Sequence, residues 1–243
     1  MNLSNWLERT ALRHPNRKAL FLGSECIGTY KDFWLAVCAL RFHLEKEGVK
    51  SGDRVAVYMQ NCPEFLVAFY AVWSMGAVIV PINFKLHLRE VSWILENAEC
   101  SYILGDTVLA SDISLPDITV FAPKWDQLST NIQVSPVSCS FNDLAWLFYT
   151  SGTTGKPKGV MITHGMIKTM ALSYFADVDQ VYQSDTALYA APMSHGAGLY
   201  SIMHVLVGSR HAIPISGGFA EQEIFNIAEK LNNIHMFAAP TMV

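Results

Sequence analysis

Short apolar segments alternate with amphipathic segments along most of this 243-residue chain, and this alternation limits the fold more than any other feature. Thr29 and Asp32 have the spacing of a helix-capping box, and the apolar residues that follow recur at steps of three and four. Residues 54–59 and 144–149 have the short, apolar composition of buried strands. Strands that alternate with helices are typical of parallel sheets covered by helices. The sequence therefore predicts an α/β fold with mainly parallel sheets flanked by helices.

The same pattern continues to the end of the sequence after one interruption. Further strands are predicted at residues 77–80, 101–104, 159–162, 186–190, 211–214 and 234–237, and further helices near residues 88–97, 165, 198–207 and 221–232. Residues 105–140 contain scattered prolines among polar residues, which predicts a meandering connection with one or two short strands. We expect residues 1–140 to form the first part of an α/β domain and residues 141–243 to form a second α/β part, truncated at its C-terminal end.

Phe65 to Phe84 form a run of twenty residues without a charged side chain, which is long enough to cross a membrane. Gly76 and Pro81 interrupt this run, and Pro63 just before it is well placed to open a helix. A helix that ends near Gly76, followed by a short buried strand, explains the run better than a membrane span. The sequence therefore predicts no transmembrane segment.

The formal net charge of −4 and the pI near 6.0 leave no basic field for a nucleic-acid backbone, so nucleic-acid binding is disfavoured as the main role. The five cysteines are widely spaced without a Cys-x-x-Cys pair, and the N-terminus lacks an apolar signal core. These features predict a reduced, cytoplasmic protein. Hydrophobic residues make up 51% of the chain, which fits a buried parallel sheet, a peripheral membrane contact, or a surface that packs on protein outside this sequence.

The segment after the strand at residues 144–149 carries the most chemical information. It is the string Thr-Ser-Gly-Thr-Thr-Gly-Lys-Pro-Lys-Gly, which begins at Thr150 and ends at Gly159. Its glycines allow backbone N–H groups to turn towards an anion, its hydroxyl groups add donors and candidate Mg²⁺ ligands, and Lys156 and Lys158 add positive charge. Composition alone fits a phosphate-binding loop and a flexible surface loop about equally.

Three familiar site classes are disfavoured by spacing. A Walker A loop requires a glycine where this chain has Thr150, and it requires Ser or Thr where Pro157 follows Lys156. The chain also lacks a Gly-x-Gly-x-x-Gly sequence after a strand and a Gly-x-Ser-x-Gly elbow. The kinase, dinucleotide-binding and α/β-hydrolase interpretations therefore lose their main support.

The ten-residue string closely resembles the phosphate-binding signature of the adenylate-forming superfamily, which includes acyl-CoA synthetases and peptide-synthetase adenylation domains. The resemblance covers nearly the whole chain in the family's order, through the segments at residues 29–33, 48–56, 61–65, 76–83 and 192–198. It implies an ATP-dependent enzyme that joins a small carboxylic acid to AMP and releases pyrophosphate. The acyl group then passes to a thiol, usually that of coenzyme A. The implied fold is an incomplete N-terminal domain of these enzymes.

The resemblance also implies the residues that bind ATP and Mg²⁺. The β- and γ-phosphates would be held by Thr150, Ser151, Gly152, Thr153, Thr154, Gly155 and Lys158, with Thr150 also a Mg²⁺ ligand. Such fixed donors would stabilise the charge that develops on the leaving pyrophosphate. Lys156 falls where the family varies, and a solvated side chain is expected for it.

His195 lies within the sequence Pro-Met-Ser-His-Gly-Ala-Gly, which resembles the family's Pro-x-x-His motif. A lone histidine is more often structural, but the resemblance implies that His195 lies beside the bound acid and that Gly196 and Ala197 leave room for it. Amino-acid-activating members usually have a Phe-Asp pair where this chain has Met193 and Ser194. The resemblance therefore implies an uncharged acyl or aryl acid, fatty or otherwise hydrophobic.

The family's later motifs, including its catalytic lysine, would lie beyond Val243, so the main catalytic residues are expected outside this sequence. The apolar end at residues 237–243 also predicts a fold that continues. The chain by itself is therefore expected to be inactive. Two alternatives stay open: an inactive module that binds a nucleotide or an acyl group, and a ligase that loads an acyl carrier protein.

Overall fold

The computed structural model describes residues 1–106, 113, 118–128, 132–150 and 156–242. Its helices are α1 (Ser4–Arg13), α2 (Tyr30–Lys46), α3 (Pro63–Ser74), α4 (Leu88–Asn97), α5 (His164–Asp177), α6 (Gly196–Leu199), α7 (Ser201–Val207) and α8 (Glu221–Leu231). Its strands are β1 (Lys18–Leu22), β2 (Glu25–Thr29), β3 (Arg54–Tyr58), β4 (Val78–Pro81), β5 (Tyr102–Gly105), β6 (Thr119–Phe121), β7 (Leu144–Thr150), β8 (Lys158–Thr163), β9 (Thr186–Leu188), β10 (Arg210–Ile213) and β11 (Ile234–Met236). Short 3₁₀ helices lie at Trp125–Gln127 and Pro240–Met242.

The described strands form two sheets, and each sheet is parallel except for an antiparallel pair at one edge. The six-stranded sheet has the order β6-β5-β3-β4-β7-β8, in which β7 and β8 are antiparallel. The five-stranded sheet has the order β11-β9-β10-β1-β2, in which β1 and β2 are antiparallel. The prediction of an α/β fold with mainly parallel sheets is confirmed.

The uncharged run after residue 64 is a buried helix followed by a buried strand. Pro63 opens α3, where its missing N–H costs no helical hydrogen bond. Gly76 adopts a positive φ of +72° just after the helix, and the chain then enters β4. Within the part of the chain that the structure describes, no helix combines the length and apolar character needed to cross a membrane.

Aromatic rings fill the core beside α3. Phe69, Trp73 and Trp146 are fully buried and contact one another. The indole Nε1–H of Trp73 donates to the carbonyl oxygen of Ala145 at 2.9 Å, which satisfies the one polar atom of this buried ring. This contact ties α3 to β7, the strand that leads into the candidate phosphate loop.

The helix starts that the sequence predicts from capping residues are present. The Thr29 side chain accepts from the Asp32 N–H at the start of α2, and the Asp32 carboxylate accepts from the Thr29 N–H at 2.8 Å. A single helix was predicted near residues 198–207. The structure has two helices there instead, α6 and α7, which meet at Tyr200.

The first helix and the first hairpin are elements that the sequence analysis did not predict. Strand β1 finds its parallel partner in β10, which lies almost the length of the chain away. Each sheet also combines strands from both sides of residue 140, since β4 pairs with β7 and β1 pairs with β10. The division into residues 1–140 and 141–243 therefore describes the order of motifs along the chain, and as a domain boundary it stays a prediction.

Candidate functional site

The candidate phosphate loop connects the two antiparallel edge strands of the six-stranded sheet. The pairing of β7 with β8 runs as far as Thr150 opposite Lys158, and both of these side chains are exposed. The ladder therefore holds Thr150 and Lys158 side by side at the base of the loop. The predictions for Ser151, Gly152, Thr153, Thr154 and Gly155 lie outside the described residues and stay predictions.

Both ends of this loop contact helix α4. On the downstream side, the Lys156 ammonium lies 4.2 Å from the centre of the Trp93 ring, and the Trp93 Nε1–H donates to the Pro157 carbonyl at 3.2 Å. On the upstream side, the Tyr149 hydroxyl donates to Asn97 Oδ1 at 2.7 Å. Lys156 is exposed, as expected, but its charge is held over an aromatic ring.

A cavity of about 200 Å³ opens at the base of the loop, and we call it the loop-base cavity. Its wall includes Thr150 and Pro157 from the loop ends, Glu90 and Ile94 from α4, and His195. Thr150 and His195, which are 45 positions apart in the sequence, thus share one cavity. The structure brings together the two motifs that the resemblance implied for phosphate and acid.

His195 precedes α6 and is half-buried. Its ring lies edge-on to Phe148 with 5.4 Å between ring centres, and Nδ1 is 3.0 Å from the Ser194 hydroxyl. Burial lowers the pKa of His195, because removal from water disfavours the charged imidazolium. A neutral ring with Nδ1 held by Ser194 leaves Nε2 as the nitrogen that can meet a ligand.

Small residues after His195 allow close packing. A side chain at Gly196 would place its Cβ 2.6 Å from the Phe237 ring, and a Cβ at Gly198 would lie 1.9 Å from the Met193 carbonyl oxygen. Gly198 is therefore required by backbone packing, whereas the space at Gly196 is filled by an aromatic ring. Ala197 is buried and lines a second cavity.

This second cavity, which we call the aromatic cavity, has a volume of about 440 Å³. Tyr200 and Phe237 stack with 5.7 Å between ring centres on its wall, and Leu188 and Met236 add apolar surface. His204, His235 and Asp179 supply polar groups elsewhere on the wall. The sequence analysis did not assign these residues to a site, because they come from four separate segments whose meeting depends on the order of strands.

Metal-binding groups are sparse in the described part of the chain. No three side chains of His, Cys, Asp or Glu type come together there in a way that could hold a metal ion. A Mg²⁺ ion that arrives on phosphate oxygens keeps several waters and needs few protein ligands. The exposed Thr150 hydroxyl on the loop-base cavity fits that limited requirement.

The family model described as AMP-binding enzyme matches residues 7–243. The chain belongs to the AMP-binding enzyme family. Among curated members it is 27% identical over 242 residues to a feruloyl-CoA synthase of an Amycolatopsis species, a match that covers 99% of this chain and 49% of that protein. It is 32% identical over 216 residues to the 2-succinylbenzoate–CoA ligase of Bacillus thuringiensis subsp. konkukian, covering 86% of this chain and 42% of that protein. The chain thus spans about half the length of the curated AMP-binding relatives it matches.

Solved structures of family members agree with the fold. The O-succinylbenzoate coenzyme A synthetase of Bacillus subtilis in complex with AMP superposes with a TM-score of 0.86 at 26% identity, covering 98% of this chain and 62% of that one. The N-terminal domain of FACL13 from Mycobacterium tuberculosis superposes with a TM-score of 0.81 at 27% identity, covering 94% of this chain and 60% of that one. The predicted resemblance to the N-terminal domain of adenylate-forming enzymes is confirmed.

Proposed function

We propose that this chain supplies the phosphate-binding and acid-binding parts of an ATP-dependent acid–thiol ligase. In the full-length protein a carboxylate oxygen attacks the α-phosphorus of ATP, the bond from that phosphorus to the bridging oxygen breaks, and pyrophosphate leaves. A thiol, that of coenzyme A, then attacks the acyl carbon and AMP leaves. The observation that carries the proposal is the loop-base cavity, because it joins Thr150 to His195 in a member of the AMP-binding enzyme family.

Phosphate binding is assigned to Thr150, Ser151, Gly152, Thr153, Thr154, Gly155 and Lys158. Their role in the proposal is to hold the β- and γ-phosphates through backbone N–H groups, hydroxyl groups and one ammonium. Support comes from the β7–β8 pairing, which keeps Thr150 and Lys158 adjacent at the loop base. Charge that develops on pyrophosphate is stabilised best by donors that are already in place.

Mg²⁺ in this proposal is bound to the triphosphate and supplies charge neutralisation of the phosphate oxygens. Thr150 would contribute its hydroxyl oxygen to the ion. The chemistry of this donor suits a hard cation that prefers oxygen ligands.

The acid is assigned to His195, Gly196 and Ala197, and the Phe237 ring that fills the space at Gly196 forms part of the wall of the aromatic cavity. The neutral imidazole of His195 can donate or accept one hydrogen bond without placing a fixed positive charge beside the carboxylate. That arrangement suits a carboxylate that must stay nucleophilic for its attack on phosphorus. The aromatic cavity would receive the rest of the acid.

The acid is proposed to be hydrophobic, either an aryl acid or an aliphatic acid. Rings of Tyr200 and Phe237 together with Leu188 and Met236 give the aromatic cavity its apolar wall. Met193 and Ser194 are buried where amino-acid-activating members carry their Phe-Asp pair, so no carboxylate stands there to meet an ammonium group. The names of the two curated relatives, a feruloyl-CoA synthase and a 2-succinylbenzoate–CoA ligase, favour aromatic acids within this class.

Acid-dependent pyrophosphate release by the full-length protein tests the proposal. A panel of hydroxycinnamic acids, benzoic acids, fatty acids and amino acids, each with Mg·ATP, should give release with a hydrophobic acid. Strict dependence on amino acids would contradict the proposed acid class. Absence of release with any acid, together with retained nucleotide binding, would favour the inactive binding module.

Lys158→Ala provides the matched test of the phosphate assignment. Loss of one charged donor to the leaving group should lower kcat by about 10²–10³-fold, by comparison with the removal of one oxyanion-hole donor. Lys230→Ala, at an exposed lysine in the last turn of α8, is the control and should leave kcat unchanged. Equal rates for the two variants would contradict the role of Lys158. The acceptor is tested separately, by comparing coenzyme A with an acyl carrier protein.

A further inference from the structure

A buried asparagine connects the two sheets next to the His195 motif. Asn61 lies between β3 and α3 and is 6% exposed. Its amide nitrogen donates to the carbonyl oxygens of Tyr189 at 3.0 Å and Ala191 at 2.8 Å. Its Oδ1 accepts from the Met193 N–H at 2.9 Å. Two carbonyl acceptors on one side and one N–H donor on the other leave a single orientation for the amide.

The backbone that Asn61 binds lies between β9 and α6, outside both elements. Tyr189, Ala191 and Met193 are buried, and buried backbone N–H and C=O groups require hydrogen-bond partners. The bonded residues are spaced by two, which is the spacing at which a strand presents its polar groups to one neighbour. Asn61 therefore takes the place of a partner strand for the segment that leads to His195.

The segment held by Asn61 continues directly into His195. The His195 N–H donates to the Pro192 carbonyl at 3.1 Å, and Pro192 lies between two of the bonded residues. From the other side, an added Cβ at Gly198 would lie 1.9 Å from the Met193 carbonyl oxygen, so α6 packs tightly against the same backbone. A shift of Met193 would therefore shift His195 with it.

The backbone that carries Asn61 is held by packed elements on both sides. Strand β3 lies inside the six-stranded sheet, with β5 and β4 as its parallel partners. Pro63 opens α3 two residues after Asn61, and the residues of α3 are buried in the main apolar core. The Asn61 side chain therefore extends from a fixed position in the six-stranded sheet to the motif that follows the five-stranded sheet.

We propose that Asn61 is a positioning residue that holds residues 189–193 so that the His195 ring meets the carboxylate of the bound acid. This inference rests on the proposed function, since it takes His195 as a residue that contacts the acid. Geometry that is set before the acid binds leaves less conformational freedom to be lost on binding. A misplacement of about 1 Å near a reacting group can lower the rate by about 10²-fold.

Steady-state kinetics of the full-length protein test the inference. Pyrophosphate release from Mg·ATP is measured with ferulic, benzoic and octanoic acids as probes. Asn61→Ala removes all three hydrogen bonds and should lower kcat/KM by about 10²-fold for the acid that the wild type uses. The KM for Mg·ATP should not change, because the contacts of Asn61 lead to His195.

Asn2 provides a closely matched control. It is fully buried, its amide nitrogen donates to the carbonyl oxygens of Trp73 and Val137, and its Oδ1 accepts from the Ser4 N–H at 2.9 Å. Asn2→Ala therefore removes the same kinds of hydrogen bond beside α1 and α3. It should lower the midpoint of urea denaturation about as much as Asn61→Ala and leave kcat/KM for the acid unchanged. Equal losses of kcat/KM in both variants would show that Asn61 only stabilises the fold.

A double-mutant cycle shows whether Asn61 acts through His195. His195→Ala should lower kcat/KM for the acid, and Asn61→Ala should have almost no further effect in that background. Independent effects that multiply in the double variant would overturn the inference. If Asn61→Ala does not fold, Asn61→Asp replaces it in the cycle, because a carboxylate keeps the shape and the acceptor for the Met193 N–H but cannot donate to both carbonyl oxygens.

Failure of the inference and failure of the proposed function have different signatures. A wild-type value of kcat/KM in folded Asn61→Ala would overturn the inference and leave the proposed function intact. A wild-type protein that itself releases no pyrophosphate with any of the three acids would contradict the proposed function, and the inference with it.

Discussion

Beside helix α3, the six-stranded sheet buries aromatic and aliphatic side chains, whereas the five-stranded sheet buries a hydrogen-bonded group of histidine and tyrosine side chains. Phe69, Trp73 and Trp146 represent the first environment, and all three are fully buried. Tyr30 and His211 represent the second, and both are equally inaccessible to water. The two sheets have similar strand patterns, and they differ in the chemical type of the side chains that they bury.

The polar group of the five-stranded sheet has one consistent arrangement of protons. The Tyr30 hydroxyl donates to the Ser209 carbonyl at 2.6 Å, so its oxygen is left to accept from His211 Nε2 at 3.1 Å. His211 Nδ1 then accepts from the Tyr189 hydroxyl at 2.7 Å. The two tyrosine partners together therefore favour the neutral tautomer of His211 that carries its proton on Nε2.

The difference teaches that stability in the two regions depends on different variables. An apolar core responds to changes in volume, because lost contacts and a cavity raise its free energy. A buried polar group responds to changes in protonation, because each atom has a fixed role as donor or acceptor. Tyr189 and His204 also line the aromatic cavity, so this buried polar group extends to the wall of that cavity.

Trp73→Ala should give the largest loss of stability. It removes one of the two fully buried tryptophan side chains and the hydrogen bond to the Ala145 carbonyl, so the free energy of unfolding should fall by about 3–5 kcal/mol. Urea denaturation followed by circular dichroism measures this change. Phe225→Ala, at a ring that is 65% exposed, is the control and should change the free energy by less than about 0.5 kcal/mol. Similar losses for both variants would contradict the importance of packing beside α3.

Acidification should destabilise the five-stranded sheet through its buried His211. Burial lowers the pKa of His211 to about 3, below the ordinary value of 6.5, so the unfolded chain binds a proton more readily than the folded one. The stability due to neutral His211 is therefore complete above pH 6.5 and falls as the pH drops towards 3. Between pH 7 and pH 4.5 the loss should be about 2–3 kcal/mol.

His211→Gln isolates this contribution. The variant should be less stable than the wild type at pH 7, but its stability should decrease less on acidification, since it has no imidazole to protonate. Burial also lowers the pKa of His164, to about 4, and that residue affects both proteins and cancels in the difference. Parallel pH profiles from urea denaturation would show that His211 is not the group that titrates.

Thr29→Ala should have an intermediate effect at the junction of β2 and α2. The Thr29 hydroxyl caps the first turn of α2, and its loss should lower the free energy of unfolding by about 1 kcal/mol. Thr29→Ser retains the hydroxyl and should restore most of the stability. Thermal denaturation of the three proteins measures the effect, and equal midpoints for Ala and wild type would contradict the capping role.

Glu99→Gln should have the smallest effect. Glu99 pairs with Arg54 Nη2 at 2.6 Å beside the six-stranded sheet, but its side chain is 80% exposed. Screening by water and the cost of ordering two long side chains limit such a pair to less than about 0.5 kcal/mol. Urea denaturation at low and high salt checks this expectation, and a loss above 1 kcal/mol would show that surface charge contributes more than we expect.

Several helices and strands of both sheets could be predicted from local sequence. Helix α4 occupies the predicted residues, and the capping box at Thr29 and Asp32 is present. Pro63 and Gly76 mark the limits of α3 because each has a backbone preference that acts within a few residues. The hairpin of β1 and β2 was not predicted, since β1 depends on pairing with distant β10.

The candidate site likewise has one part that the sequence predicts and another part that only the structure shows. The phosphate string and the His195 motif are recognisable in the sequence because their residue types and order resemble a family. The contacts of Trp93 and Asn97 with the ends of the loop are not recognisable there, because a tryptophan on an amphipathic helix is ordinarily a packing residue. Their contacts with Pro157 and Tyr149 exist only after β4 has paired with β7 and brought α4 beside the loop.

By itself the sequence determined the alternation of strands and helices, the interruption of the uncharged run at residues 65–84 by Gly76 and Pro81, and the resemblance of the chain to its family. These properties depend on side-chain periodicity and on backbone preferences of single residues. The tertiary structure decided which strands became neighbours, which histidines became buried, and which helix contacts the ends of the loop. Such outcomes depend on contacts between residues far apart in the chain, and their energies arise only when the sheets have formed.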